Sequence, residues 1–111
     1  MKVIMQSGGL DERAVFNITH GKNLSKVSDN LGRVFDVSEY IVYADTDRQT
    51  GTERQVLAMV TEDGDILSSN SATVIRTFLD MVDVLKMPIN GVEITSGQSK
   101  SGRTYYDLKL A

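Results

Sequence analysis

Near the end of the 111-residue chain, Arg103-Thr104-Tyr105-Tyr106-Asp107-Leu108-Lys109-Leu110 reads as a strand whose side chains alternate between two faces. Tyr106, Leu108 and Leu110 share the apolar face expected to meet a core. Arg103, Tyr105, Asp107 and Lys109 share the other, an aromatic ring set between cations. Flat π-systems stack on such a ring, and Arg or Lys holds anionic groups on either side of it. The segment 98–111 carries three basic groups and one acid, a local charge of +2. Two readings of these residues stand side by side. One is a platform for nucleic acid, and the other is a hairpin kept soluble by polar residues, with Tyr105 only a cross-strand partner.

Enzyme chemistry finds no comparable support. Gly97-Gln98-Ser99-Lys100-Ser101-Gly102 superficially suggests a phosphate loop, but its spacing differs from the Walker motif, and a strand rather than a helix follows it. His20 is the sole histidine and no Gly-x-Ser-x-Gly elbow accompanies it. With no cysteine, a disulfide framework, a thiol nucleophile and a zinc knuckle are excluded, and one histidine excludes a multi-histidine metal site. The carboxylates Asp45, Asp47, Glu62, Asp63 and Asp65 gather where turns are expected, and Glu62-Asp63-Gly64-Asp65 lacks the spacing of a calcium loop. A non-catalytic protein without metal or cofactor is expected. Twelve basic against fifteen acidic residues give a net charge of −3, which excludes a protein coated in positive charge but not a local basic groove. The only apolar run near the start, Val3-Ile4-Met5, is too short for a signal peptide or a membrane span, so a soluble cytoplasmic protein is expected.

The elements that must position these residues are legible from Arg33 onward. Arg33 to Ala44 is rich in β-branched and aromatic residues, and Asp45 to Thr52 is a polar hairpin loop. Glu53 to Thr61 is a second strand, Asp63-Gly64 suits a tight turn, and Ile66 to Ser68 begins a third. Asn70 or Ser71 can cap a helix in which Val74, Ile75, Phe78, Leu79, Val82 and Leu85 form one apolar stripe, and Pro88 stops it. Ile89 to Ser96 and Arg103 to Leu110 complete the set around the glycine-flanked loop Gly97 to Gly102.

The order β-β-β-α-β-β predicts a mainly β protein: an OB-fold-like, five-stranded Greek-key barrel with one amphipathic helix between strands three and four. Residues 1–111 form one domain, with 33–111 as the barrel and 1–32 as an N-terminal extension. Within that extension Ala14 to Thr19 is read as one added strand, and Asn23 to Asn30 as a short helix or loop.

In an OB-fold the second and third strands, with the loops after strands one and four, line the ligand groove. Arg48 falls in the first of these loops and Lys100 in the second, with Arg54 and Arg103 just inside the adjoining strands. Tyr40 and Tyr43 differ in parity, so one of them is expected to be exposed beside the groove, and its nearness to the loop favours Tyr43. Phe35, Phe78 and Met59 read as core. The candidate nucleic-acid-binding residues are therefore Tyr43, Arg48, Arg54, Lys100, Arg103, Tyr105 and Lys109.

Tyr40-Ile41-Val42-Tyr43, the glycine-containing loop, Thr61-Glu62-Asp63-Gly64, the Ser71 that opens a helix and the closing segment 97–106 together resemble small single-stranded DNA-binding proteins of bacteriophages and related mobile elements. The resemblance spans about residues 14–111 and rests on pattern rather than on one diagnostic motif. It implies a replication accessory protein that coats template strands, holds them open and shields them, with single-stranded DNA and replication proteins as partners. It also implies that Arg103 and Tyr105 occupy backbone-holding and stacking positions. Bacterial housekeeping versions carry an acidic C-terminal tail, to which Leu108-Lys109-Leu110-Ala111 has no likeness, so recruitment through such a tail is not expected. A protein-interaction module of a phage or mobile element and an RNA-binding OB domain are the alternatives, and both a monomer and a homodimer fit the sequence.

Overall fold

The computed structural model describes residues 1–21 and 24–111. Its longest strand explains the shape of the whole. We number the strands β1 (Lys2–Gln6), β2 (Leu24–Lys26), β3 (Val34–Thr46), β4 (Glu53–Thr61), β5 (Ile66–Ser69), β6 (Ile89–Gln98) and β7 (Thr104–Leu110). The helices are α1 (Glu12–His20) and α2 (Ala72–Leu85), with a short 3₁₀ turn at Val27–Asp29. Strand β3 pairs with β6 through Val34, Phe35 and Val37, and then with β4 from Val37 to Thr46. Register shifts fall between Phe35 and Val37 on one side and between Val37 and Glu39 on the other. Extra residues of this kind bend a strand and raise its twist. The bend is pinned where Asp36 accepts from Gly91 N through its carboxylate (2.8 Å) and from Glu62 N through its carbonyl (3.1 Å).

The result is a curled, mixed sheet in the order β2-β5-β4-β3-β6-β7, with β1 antiparallel to the C-terminal half of β3. From Val34 onward the element order is the one expected, β-β-β-α-β-β. The architecture is mainly β and consistent with an OB-like half-barrel, but among the described residues it has seven strands and two helices, where a five-stranded barrel with one helix and one added N-terminal strand was expected. The additional strands come from the N-terminal extension: β1 extends the ladder of β3, and β2 runs parallel to β5 along its outer edge.

The segment Ala14 to Thr19 is not a strand. Asp11 caps a helix there by accepting from Ala14 N at 2.8 Å, and Glu12 follows in the first turn, where a carboxylate is favoured. Ile18 is buried among Ile41, Tyr43, Val56, Ala58 and Ile66, so α1 covers one face of the central strands. Of the segment read as a short helix or loop, Asn23 lies outside the described residues, and the remainder is β2 followed by the 3₁₀ turn.

Helix α2 covers the opposite face. Ser71 caps it, accepting from Val74 N at 3.3 Å, and the stripe buries Val74, Ile75 and Phe78. Phe78 is fully buried and meets Tyr40 edge-on, ring centroids 5.3 Å apart, a favoured aromatic geometry. Phe35 and Met59 belong to the same core, as their residue types indicated. Tyr106 packs against that core while remaining half-buried, and Leu108 is enclosed, but Leu110 is exposed at the strand end. No helix among the described residues is long and apolar enough to cross a membrane.

Candidate nucleic-acid interface

The β6–β7 hairpin carries four of the seven residues singled out by sequence, Lys100, Arg103 and Tyr105 close together and Lys109 farther along. Its ladder pairs Ser96 with Tyr106, Gly97 with Tyr105 and Gln98 with Thr104. Glycine at 97 leaves the space that the Tyr105 ring fills, and the ring stays 43% exposed above it. A cross-strand aromatic over a glycine restores packing that the missing side chain would otherwise forfeit. The loop beyond is a closed turn rather than a pliant one. Ser99 N donates to Arg103 O and Gly102 N to Ser99 O, each at 2.9 Å, and Ser99 Oγ lies 2.9 Å from Ser101 Oγ. Gly102 takes a positive φ of 82°, a conformation that costs glycine nothing. Lys100 and Arg103 are exposed on this turn, with no carboxylate within ion-pair distance among the described residues. The exposed face of the hairpin thus offers a ring and two uncommitted cations beside a hydrogen-bonded turn.

Lys109 stands farther along β7 and is differently placed. It faces its ladder partner Glu93 at 3.8 Å, an exposed pairing of the kind worth little to stability. The one acid in the row, Asp107, is tied to α2, where its Oδ1 accepts from Thr77 Oγ1 at 2.6 Å.

Arg48 and Arg54 flank the β3–β4 turn. That turn is also compact: Asp47 accepts from Gln49 N through its carboxylate (2.8 Å) and from Gly51 N through its carbonyl (2.7 Å). Along the ladder this turn lies beyond the C-terminal end of β3, whereas the β6–β7 turn projects past its N-terminal end. Arg48 is exposed at the turn, and Arg54 is exposed on β4 opposite Asp45. Arg54 also lines a cleft of about 410 Å³ together with Tyr106, the chain neighbour of Tyr105, which links the two regions.

Tyr43 is not exposed. Only 7% of it reaches solvent, because α1 lies over the face that the sequence reading left open. Tyr40 and Tyr43 do point to opposite faces, as their parity requires, but both faces are covered. Burial raises the Tyr43 phenol above its ordinary value, the Asp45 carboxylate raises it further, and the Arg54 guanidinium opposes both.

Two groups beside Arg54 escaped the sequence reading. Lys26 lines the same cleft from the end of β2, and Arg76 lines an adjoining groove between β4 and α2. Arg76 forms no ion pair within 4.0 Å among the described residues, although Asp80 stands four residues on in the same helix. Nothing local marks Lys26, since its position depends on a strand pairing some forty residues away in sequence, Lys26 with Ser68.

A mainly β half-barrel presenting a solvent-facing tyrosine, uncommitted cations and a polar cleft belongs among proteins that hold an extended, charged chain rather than a small molecule in an enclosed cavity. Comparison with protein families narrows that class. Residues 11–111 match the family described as phage single-stranded DNA-binding protein, of the Phi29 type, and the chain belongs to this family. Single-stranded DNA is accordingly its partner. Only β1 and the turn that follows it precede the matched segment. Neither curated proteins nor solved structures yield a match.

Proposed function

We propose that this protein coats single-stranded template DNA during phage or plasmid replication, in the host cytoplasm, holding it open without reading its sequence and without catalysis. The observation that carries this reading is the Tyr105 ring laid across Gly97 with Lys100 and Arg103 free in the adjoining turn. Every base has a π-face, so a stacked tyrosine accepts any of the four, and cations that meet only phosphate are equally indifferent. An OB-like groove would run from this hairpin past Tyr106 to Arg54, with Arg48 at its far end. Replication proteins are the natural further partners of a strand so covered.

The test is a fluorescence anisotropy titration of labelled oligo-thymidine at two salt concentrations. Binding that weakens steeply with salt is expected, because each neutralised phosphate releases counterions. Arg103→Glu should weaken binding without unfolding, and Tyr105→Ala should cost about 1–3 kcal/mol, the worth of one stacked base. Wild-type affinity in both variants would remove the hairpin from the interface. The bound oligonucleotide should be recovered intact and protected from added nuclease; cleavage by the protein alone would contradict a non-catalytic role.

A further inference from the structure

The cleft shared by Arg54 and Tyr106 has a composition out of keeping with the rest of the molecule. The chain holds more acids than bases, fifteen against twelve, yet no carboxylate lines this cleft. Two cations do, Lys26 from the end of β2 and Arg54 from the start of β4, and neither has a carboxylate within 4.0 Å among the described residues. Hydroxyls add to them. Ser69 Oγ accepts from Ser71 N at 3.1 Å, and Ser71 Oγ accepts from Val74 N at 3.3 Å. A hydroxyl that has accepted a backbone amide keeps its own proton to give, and an ionised phosphate can only accept. The opposite character is supplied chiefly by the half-buried Tyr106 ring, with the buried side chains of Val27 and Val56 beneath it as an apolar floor. Its volume, about 410 Å³, falls in the range of pockets that enclose small organic groups.

Donors on one side, an aromatic ring over an apolar floor on the other, and no negative charge describe the needs of a phosphorylated sugar carrying a base. We infer that this cleft seats one nucleotide of the bound strand. Its phosphate lies toward Lys26, Arg54 and the serine hydroxyls, and its sugar and base lie along Tyr106. The inference rests on the DNA-coating reading and adds to it a fixed anchoring point, distinct from the open platform of Tyr105. It also gives a task to the N-terminal extension, which supplies Lys26 and Val27.

The test uses the full chain with three substitutions that leave the Tyr105 hairpin untouched. Lys26→Glu removes a donor from the cleft. Ser28→Trp plugs its rim, where Ser28 is exposed. Arg13→Glu makes the same charge change on the exposed surface of α1 and serves as control. With labelled oligo-thymidine, Lys26→Glu and Ser28→Trp should each weaken binding roughly 5- to 100-fold, as loss of one nucleotide contact does. The salt slope should fall by about 0.7 for Lys26→Glu and also for Ser28→Trp, because a plugged cleft no longer brings its phosphate to Lys26 and Arg54. Amide resonances of residues 68–71 should move on adding thymidine 5′-monophosphate, and not with thymidine or inorganic phosphate at the same concentration. If wild type binds the oligonucleotide and Lys26→Glu and Ser28→Trp bind equally well, the seat is wrong and the DNA-coating reading stands. An equal loss in Arg13→Glu also overturns the seat, since net charge alone would then explain it. Failure of wild type to bind removes both. Should Ser28→Trp not fold, Lys26→Glu against Arg13→Glu decides the matter.

Discussion

The ring of Tyr105 lies across its ladder partner Gly97 so closely that a β-carbon at position 97 would stand 2.6 Å from the tyrosine hydroxyl oxygen and 2.7 Å from the ring carbon bearing it. The glycine therefore sets where the ring rests. Its backbone φ is ordinary for a strand, so a side chain there is opposed by the tyrosine and not by the chain.

Gly97→Val should accordingly fold and displace the ring. Valine favours strands, and the atoms in its way belong to the far end of a side chain that can swing aside. Thermal stability is expected to change by only a few degrees, on the order of 1 kcal/mol. Affinity for oligo-thymidine should fall toward that of Tyr105→Ala. In the double variant the two losses should not add, because both act on one ring. Full additivity, read by anisotropy, would show that Gly97 does not act through Tyr105.

How much of this arrangement is legible before folding depends on how local its causes are. Helix α2 can be read directly, since its stripe, the Ser71 cap and Pro88 all lie within one short window. The succession from Val34 to Leu110 is legible for the same reason, each strand being bounded by its own turn residues. Helix α1 is missed because Val15, Ile18 and Thr19 are β-branched and resemble a strand, and the cap at Asp11 outweighs that preference. The misplacement of Tyr43 follows from the same error. Its parity is correct, but with Ala14 to Thr19 read as a strand nothing is left to cover its face. The cleft is the least legible feature, because Lys26 meets Arg54 only through the parallel pairing of a three-residue strand with β5.

Strand β1 is fastened at its end by Ser7, whose backbone amide donates to Tyr40 O at 3.0 Å and whose hydroxyl adds a second link. Tyr40 N donates to Ser7 Oγ at 3.0 Å, and Ser7 Oγ in turn donates to the Glu39 carboxylate. Ser7 is buried, so Ser7→Ala leaves the Tyr40 amide without its partner. A loss of about 1–3 kcal/mol in urea denaturation is expected, with faster hydrogen exchange confined to β1 and the middle of β3. An unchanged midpoint would show that the amide finds another acceptor.

Tyr43 makes stability depend on alkaline pH. Its folded phenol is raised by burial and then by Asp45, so the native state holds the proton more tightly than the unfolded chain does. That contribution is complete below the unfolded value of about 10 and is lost as pH rises through the higher folded value. Stability measured across this window should therefore decline, and Tyr43→Phe should flatten the decline. In an absorbance titration of tyrosinate, one phenol should ionise above the ordinary tyrosine value of about 10, and Tyr43→Phe should remove that step. If the late step survives in Tyr43→Phe, another tyrosine is responsible.

The two cations at opposite ends of β7 should contribute unequally to DNA binding. Arg103 has no carboxylate within reach, so a phosphate that meets it displaces only counterions. Lys109 already faces Glu93 at 3.8 Å, and a phosphate there must compete with a fixed negative charge. Arg103→Gln should thus make the dependence of log K on log salt shallower by about 0.7, the value for one phosphate on a single strand. Lys109→Gln should change it by much less. Glu93→Gln should do the reverse and strengthen binding at low salt, where the freed Lys109 is least screened, with the gain fading at high salt. Each slope is read from anisotropy titrations over a series of salt concentrations. Equal slopes for Arg103→Gln and Lys109→Gln would mean that the Glu93 pairing does not outlast contact with DNA, and that the strand follows β7 along its whole length.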